Sequence, residues 1–150
     1  MEPLAKFRQT MPFMVSMLFL VLFVYAASNK VIDYRQFQQQ LELSGFLKGN
    51  AAALAWMVPA IEIVVSVFLL IPRCRVLGLY GSLGLLLWFT GYILWVLHFS
   101  DIVPCSCGGV ISALGWRGHL YLNLCLAVLA FIGIFTSIGL QKRLSNKNTT

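Results

Sequence analysis

Apolar residues in this chain come in long unbroken runs, neither confined to one face of a helix nor alternating as in a half-buried strand. Met11 to Ser28 is the first run, Ala51 to Pro72 the second, Val76 to Phe99 the third and Leu120 to Leu140 the fourth. A helix needs about 20 apolar residues to cross a hydrocarbon core, so the pattern predicts four spans, at about 11–28, 51–72, 76–99 and 120–140. The basic start with Lys6 and Arg8, followed by an apolar run and Ala26-Ala27-Ser28, also fits a cleavable signal sequence. A retained first span is our reading. Arg73-Cys74-Arg75 leaves room only for a tight turn, so spans two and three should be antiparallel neighbours. Gly78, Gly81, Gly84 and Gly91 stud the third span. With no strand before them and no charge beside them they are no nucleotide signature; small residues let membrane helices approach closely. Gly133 and Ser137 offer the same kind of contact in span four.

Between the first two spans the pattern changes. Asp33, with Gln36 three residues on, has capping-box spacing, and Ile32 and Phe37 stand where a hydrophobic staple would be. Tyr34, Phe37 and Leu41 then share one face, glutamines occupy the other, and Gly45 supplies a stop. This predicts a short amphipathic helix lying at the interface or over the bundle. Ile111 to Gly118 follows the third connection, with Trp116 expected as an interfacial anchor.

Composition agrees with a lipid environment. Of 150 residues, 59% are apolar and 11% charged, against roughly 25% charged in soluble proteins. A soluble chain this short has too little interior to hide that much apolar surface. The expected fold is one all-α integral membrane domain over residues 1–150, a four-transmembrane-helix bundle with a short extracytoplasmic amphipathic helix between spans 1 and 2. The net charge of +6 does not indicate nucleic-acid binding, because the basic residues cluster at the ends of apolar runs. Lys6, Arg8, Arg73, Arg75, Lys142, Arg143 and Lys147 fall on one side of a four-span layout, against Lys30, Arg35, Lys48 and Arg117 on the other. The positive-inside rule then puts both termini in the cytoplasm of a multi-pass protein. The connection between spans three and four faces outward, in a bacterium into the oxidising periplasm.

That connection holds Pro104-Cys105-Ser106-Cys107-Gly108-Gly109. A Cys105–Cys107 disulfide would close only a small ring, and strained bridges are easier to reduce. The entropic benefit of a cross-link grows with loop length, so such a bridge suits electron exchange better than stapling. His119 or Arg117, as a nearby cation, is a candidate to favour the thiolate. Two other readings stay open: a soft-metal site made by Cys105 and Cys107 with His119 or His98, and a pair of unreactive thiols in an ordered loop. Cys74, between two arginines, lies on the opposite side of the membrane. Cys125, in span four below His119, is either a resolving thiol or a packed small residue. Glu62 near the centre of span two is the other informative group, since an ionisable side chain at that depth usually faces the bundle interior. It is a candidate intramembrane proton acceptor or, alternatively, a neutral hydrogen-bonding group that holds helix register. Pro59 frees the carbonyl of Ala55 nearby.

The stretch from Lys30 through Asp33 and Phe37, then Pro59 with Glu62, then Cys105, Cys107 and Gly109 ahead of the last span, resembles the MauE/DoxX group. These are small four-helix bacterial membrane proteins associated with redox processes, and the resemblance covers most of the chain. Where the MauE branch typically has Cys-Gly-Cys-Phe-Gly, Ser106 and Gly108 replace the glycine and the phenylalanine. The resemblance implies an inner-membrane protein that handles disulfides of exported proteins beside a thioredoxin-like periplasmic partner. DoxX relatives occur with quinone-linked oxidoreductases, and a looser similarity of plan extends to vitamin K epoxide reductase and DsbB-type proteins. A quinone is thus a cofactor by analogy only. The leading expectation is a membrane thiol–disulfide redox protein. The others are a non-catalytic subunit or assembly partner of a larger membrane complex and, as a lesser one, a copper-handling protein.

Overall fold

The computed structural model describes the backbone of residues 2–43, 47, 49–99 and 109–147, and the side chains of residues 10–43, 47, 49–99 and 115–140. Within these residues every regular element is a helix: α1 (Glu2–Ile32), α2 (Tyr34–Leu43), α3 (Ala51–Leu70), α4 (Arg75–Phe99) and α5 (Gly109–Lys147). Four of them contain segments long and apolar enough to cross a membrane: Thr10–Ile32, Ala51–Leu70, Arg75–Phe99 and Gly115–Leu140. α1 packs on α3 and α5, and α4 packs on the same two, so α1 faces α4 across the centre of a four-sided bundle. Phe19, Phe23, Leu69, Leu79 and Leu86 fill that centre, each no more than 2% exposed. The outer surface carries Val21, Val64, Leu87, Val128 and Phe135, each at least half exposed. So large a continuous apolar exterior is a liability in water and the normal lipid-facing surface of a membrane bundle.

Four small polar residues inside the bundle are satisfied locally. Ser16, Ser66, Ser82 and Thr90 each donate a hydroxyl to the carbonyl four residues back, at 2.7–2.8 Å. This lets a small polar residue sit at a helix contact without an unpaired donor. The glycine expectation holds where two helices come closest. A Cβ on Gly78 would lie 2.8 Å from the backbone nitrogen of Leu69, one on Gly81 2.9 Å from Val65, and one on Gly133 2.9 Å from Val15. At Gly84 and Gly91 the space is open, so those two are not contact residues.

Two details differ from the sequence pattern, the end of α1 and the place of Trp116, while α2 takes one of the two places expected of it. α1 does not end with its apolar run at Ser28 but continues to Ile32. Asp33 donates its backbone N–H to Asn29 and accepts one from Phe37, so the hydrogen-bonded path passes into α2 with a single turn residue between. α2 lies over the bundle: Leu41 is buried against Ala51 and Ala55 with Tyr34 and Phe37 beside it, and the Tyr92 hydroxyl donates to the Gln40 carbonyl at 3.3 Å. Finally, Trp116 is not an interfacial anchor. Gly115, with φ of 66°, bends α5 in a conformation open to glycine. The turn carries the Trp116 ring inward, where it is 9% exposed and packs with Ile93 and Val96.

Candidate functional site

The ends of α1 and α4 and the beginnings of α3 and α5 share one end of the bundle, with α2 above them. Their inward faces enclose a cavity of about 180 Å³. Each helix contributes through its own periodicity. α1 supplies Phe23, Ala26 and Lys30, successive positions on one face, and α4 supplies Leu86, Phe89 and Ile93. α5 supplies His119, Asn123 and Leu126, and α2 turns Gln36, Phe37 and Gln40 inward from above. α3 contributes Glu62, which lies on that helix's buried stripe between Val58 and Val65.

The dominant interaction is an ion pair. Lys30 Nζ donates to Glu62 Oε1 at 2.7 Å, with the lysine side chain 18% and the glutamate 1% exposed. The same ammonium stands over the rings of Phe89, at 4.9 Å, and Phe37, at 5.8 Å. It is thus held by a carboxylate and two aromatic faces, an arrangement that favours a cation shielded from water. Of the five buried side-chain atoms without a hydrogen-bond partner among the described residues, three are Glu62 Oε2, His119 Nδ1 and Asn123 Nδ2. All three residues line the one cavity. Buried polar groups are normally paired, so three of them around one void mark it as a place where something polar can be held.

Sequence reasoning singled out Glu62 and His119, and the structure brings both to this cavity. Glu62 has the partner that the sequence did not identify. Lys30 counts as a loop charge when the span is ended at Ser28. Continued helical phase was the available signal, since Phe19, Phe23, Ala26 and Lys30 follow one face. Asn123 and the aromatic walls were also missed, because an amide within an apolar run carries no spacing signature. Cys105 and Cys107 lie outside the described residues; they belong to the connection 100–108 that joins Phe99 to Gly109 at the cavity's end of the bundle. Cys125 is exposed on the outer face of α5 and is not part of the cavity wall. Cys74 is half-buried in the turn before α4, at the opposite end. His98 is exposed, its Nδ1 3.1 Å from the Leu94 carbonyl. Among the described residues no three His, Cys, Asp or Glu side chains cluster as metal ligands; the metal alternative rests on Cys105 and Cys107.

Compared with known families, residues 8–136 match the model described as methylamine utilisation protein MauE. No curated protein and no solved structure matches the chain.

Proposed function

The chain belongs to the MauE family, and from that premise we propose that it is a membrane thiol–disulfide redox protein whose Cys105–Cys107 pair supports disulfide formation in, or maturation of, exported proteins. Family and four apolar helices together make it a multi-pass membrane protein of the methylamine utilisation type. The redox reading is carried by the Cys-Ser-Cys sequence in the connection between α4 and α5, which joins the bundle at the end that holds the Lys30–Glu62 cavity.

The chemistry is an exchange. A thiolate of a thioredoxin-like or substrate protein attacks one sulfur of the Cys105–Cys107 disulfide, giving a mixed disulfide and releasing the other cysteine. The partner's second thiolate then attacks the mixed bond. The partner leaves with a disulfide, the pair remains as a dithiol, and two electrons and two protons have passed to it; reduction of a partner is the reverse. His119 is the candidate to favour a thiolate at the pair, and Glu62, with Oε2 unpartnered, the candidate proton acceptor.

Charge placement supports the side. Lys30 is neutralised by Glu62 and leaves the loop count. Arg35, Lys48 and Arg117 then stand against seven basic residues at the termini and the Arg73–Arg75 turn. The bias favours cytoplasmic termini and a periplasmic pair in a bacterial inner membrane.

Trapping tests the reading. With Cys107→Ser and Cys105 left free, membranes should contain a reductant-sensitive adduct on non-reducing gels that is absent from the double cysteine variant. If neither single variant traps a partner and the double variant still matures exported disulfide proteins, the redox role is refuted and a non-catalytic subunit is the better description.

A further inference from the structure

The other two of the five unpartnered buried atoms among the described residues are Arg75 Nε and Ser137 Oγ. Neither residue lines the cavity. Both belong to the opposite end of the bundle, where α4 begins and the apolar segment of α5 comes to its close. We propose that they are the donors of a binding site for the phosphodiester of an anionic phospholipid. The proposal concerns lipid recognition and does not depend on the thiol reading.

Helical register brings the two together. A Cβ on Gly133 would lie 3.6 Å from Leu79, so α4 and α5 meet there. The helices run antiparallel, and one turn further along each lie Arg75 and Ser137. Ser137 differs from the other buried serines. Ser16, Ser66 and Ser82 each donate to the carbonyl four residues back. The corresponding acceptor for Ser137 is the Gly133 carbonyl, which already takes the Thr136 hydroxyl at 3.0 Å. Ser137 is 6% exposed and its hydroxyl is left over. Arg75 is in a similar position. Its guanidinium stands over the Phe13 ring at 5.5 Å, which steadies the cation but offers Nε–H no lone pair. No carboxylate answers it among the described residues, where the ion pair is Lys30–Glu62. Buried donors are normally paired, and here two of them converge.

Charge selects an anion. Asp33, Glu42, Glu62 and Asp101 all belong to the cavity's end, where four basic residues balance them. At this end Glu2 alone stands against seven basic residues, so the whole net charge of +6 is carried here. α4 also opens with no acidic residue in its first turn, which leaves the positive end of its dipole uncompensated. A phosphate accepts side by side from an arginine Nε–H and a terminal N–H, and the Ser137 hydroxyl donates to the same group. Position selects a lipid over a free phosphate. Phe13, Met17 and Val21 follow one another at four-residue steps on α1, Met17 half-buried and the other two 47% and 66% exposed. Acyl chains laid along that strip end in a head group beside Phe13. The ring is exposed enough to turn aside as the phosphate takes the Nε–H.

The experiment titrates the full chain in dodecyl maltoside with dioleoyl phosphatidylglycerol and counts bound lipids by native mass spectrometry. Binding should saturate, and dioleoyl phosphatidylcholine should bind at least about fivefold more weakly, the scale of one basic residue meeting an anionic head group. Excess inorganic phosphate should not displace the lipid. Arg75→Lys keeps the charge and loses the Nε–H; it should weaken binding at least about tenfold, the scale of one charge-assisted hydrogen bond. Ser137→Ala should weaken it at least about fivefold, and carries the test if Arg75→Lys is not monodisperse by size exclusion. Lys142→Gln removes a whole charge from the same end and leaves both donors, so it should lose less than either. The proposal is overturned if Lys142→Gln loses as much as Arg75→Lys or Ser137→Ala, which would mean a diffuse surface charge. Equal binding of phosphatidylcholine, or displacement by inorganic phosphate, would overturn it as well.

Discussion

Removing either member of the Lys30–Glu62 pair should cost far more than removing both. At 2.7 Å the attraction of two unit charges is at most about 6 kcal/mol for an effective dielectric near 20. Withdrawing each ion from water costs several kcal/mol, so the intact pair contributes little net stability. A single truncation keeps the desolvation cost of the surviving charge and loses the attraction, and breaking buried pairs costs roughly 3–5 kcal/mol. Lys30 is 18% exposed, which gives its charge some relief and places Glu62→Leu near the lower figure. We expect Lys30→Met and Glu62→Leu each to destabilise by about 3 kcal/mol, or roughly 150-fold in the folded-to-unfolded ratio. The double variant Lys30→Met/Glu62→Leu should return to within about 1 kcal/mol of wild type, because two apolar side chains of similar volume need no partner. The assay is reversible unfolding in mixed micelles by titration with sodium dodecyl sulfate, followed by tryptophan emission and far-ultraviolet circular dichroism. The cycle gives the coupling energy directly. Additivity within about 0.5 kcal/mol would refute the argument, since the two side chains would then be independent.

Three further outcomes follow from the packing and the topology. Gly78→Ala should destabilise by about 1–3 kcal/mol by forcing a methyl against the Leu69 backbone, whereas Gly84→Ala, with open space at its Cβ, should be neutral or slightly stabilising; the same unfolding titration compares them. Gly115→Ala should cost about 1–3 kcal/mol for a side chain held at φ of 66° and ψ of 172° and should raise the accessibility of Trp116 to acrylamide quenching. In a variant with Cys74 as its single cysteine, a membrane-impermeant maleimide should label inverted vesicles and not spheroplasts; the reverse pattern would invert the topology and remove the periplasmic setting of Cys105 and Cys107.

What was legible in the sequence was what one helix can report about itself. Apolar run length gave the four spans, because the bilayer sets one dimension for every crossing helix. The Tyr34–Phe37–Leu41 periodicity gave a helix that buries those residues, and the polarity of Glu62 within an apolar run marked it as a group turned inward. Which buried polar groups meet across helices was not legible. That Lys30 answers Glu62 depends on α1 keeping its helical phase past Ser28 and on α1 being the neighbour of α3. Neither follows from hydropathy, because a lysine just beyond an apolar run reads equally as a loop charge or as the end of the span. That Trp116 turns inward depends on one backbone torsion at Gly115, which composition does not encode. The cavity is the clearest case. Its walls come from five helices, and its unpartnered atoms on Glu62, His119 and Asn123 lie on segments 57 and four residues apart along the chain, unrelated until α3 and α5 are set in one bundle. Sequence alone determined a membrane bundle with a cysteine pair in its third connection. The tertiary structure decided which buried charge has a partner and which buried polar atoms are left facing a common space, since both are set by how the helices are rotated against one another.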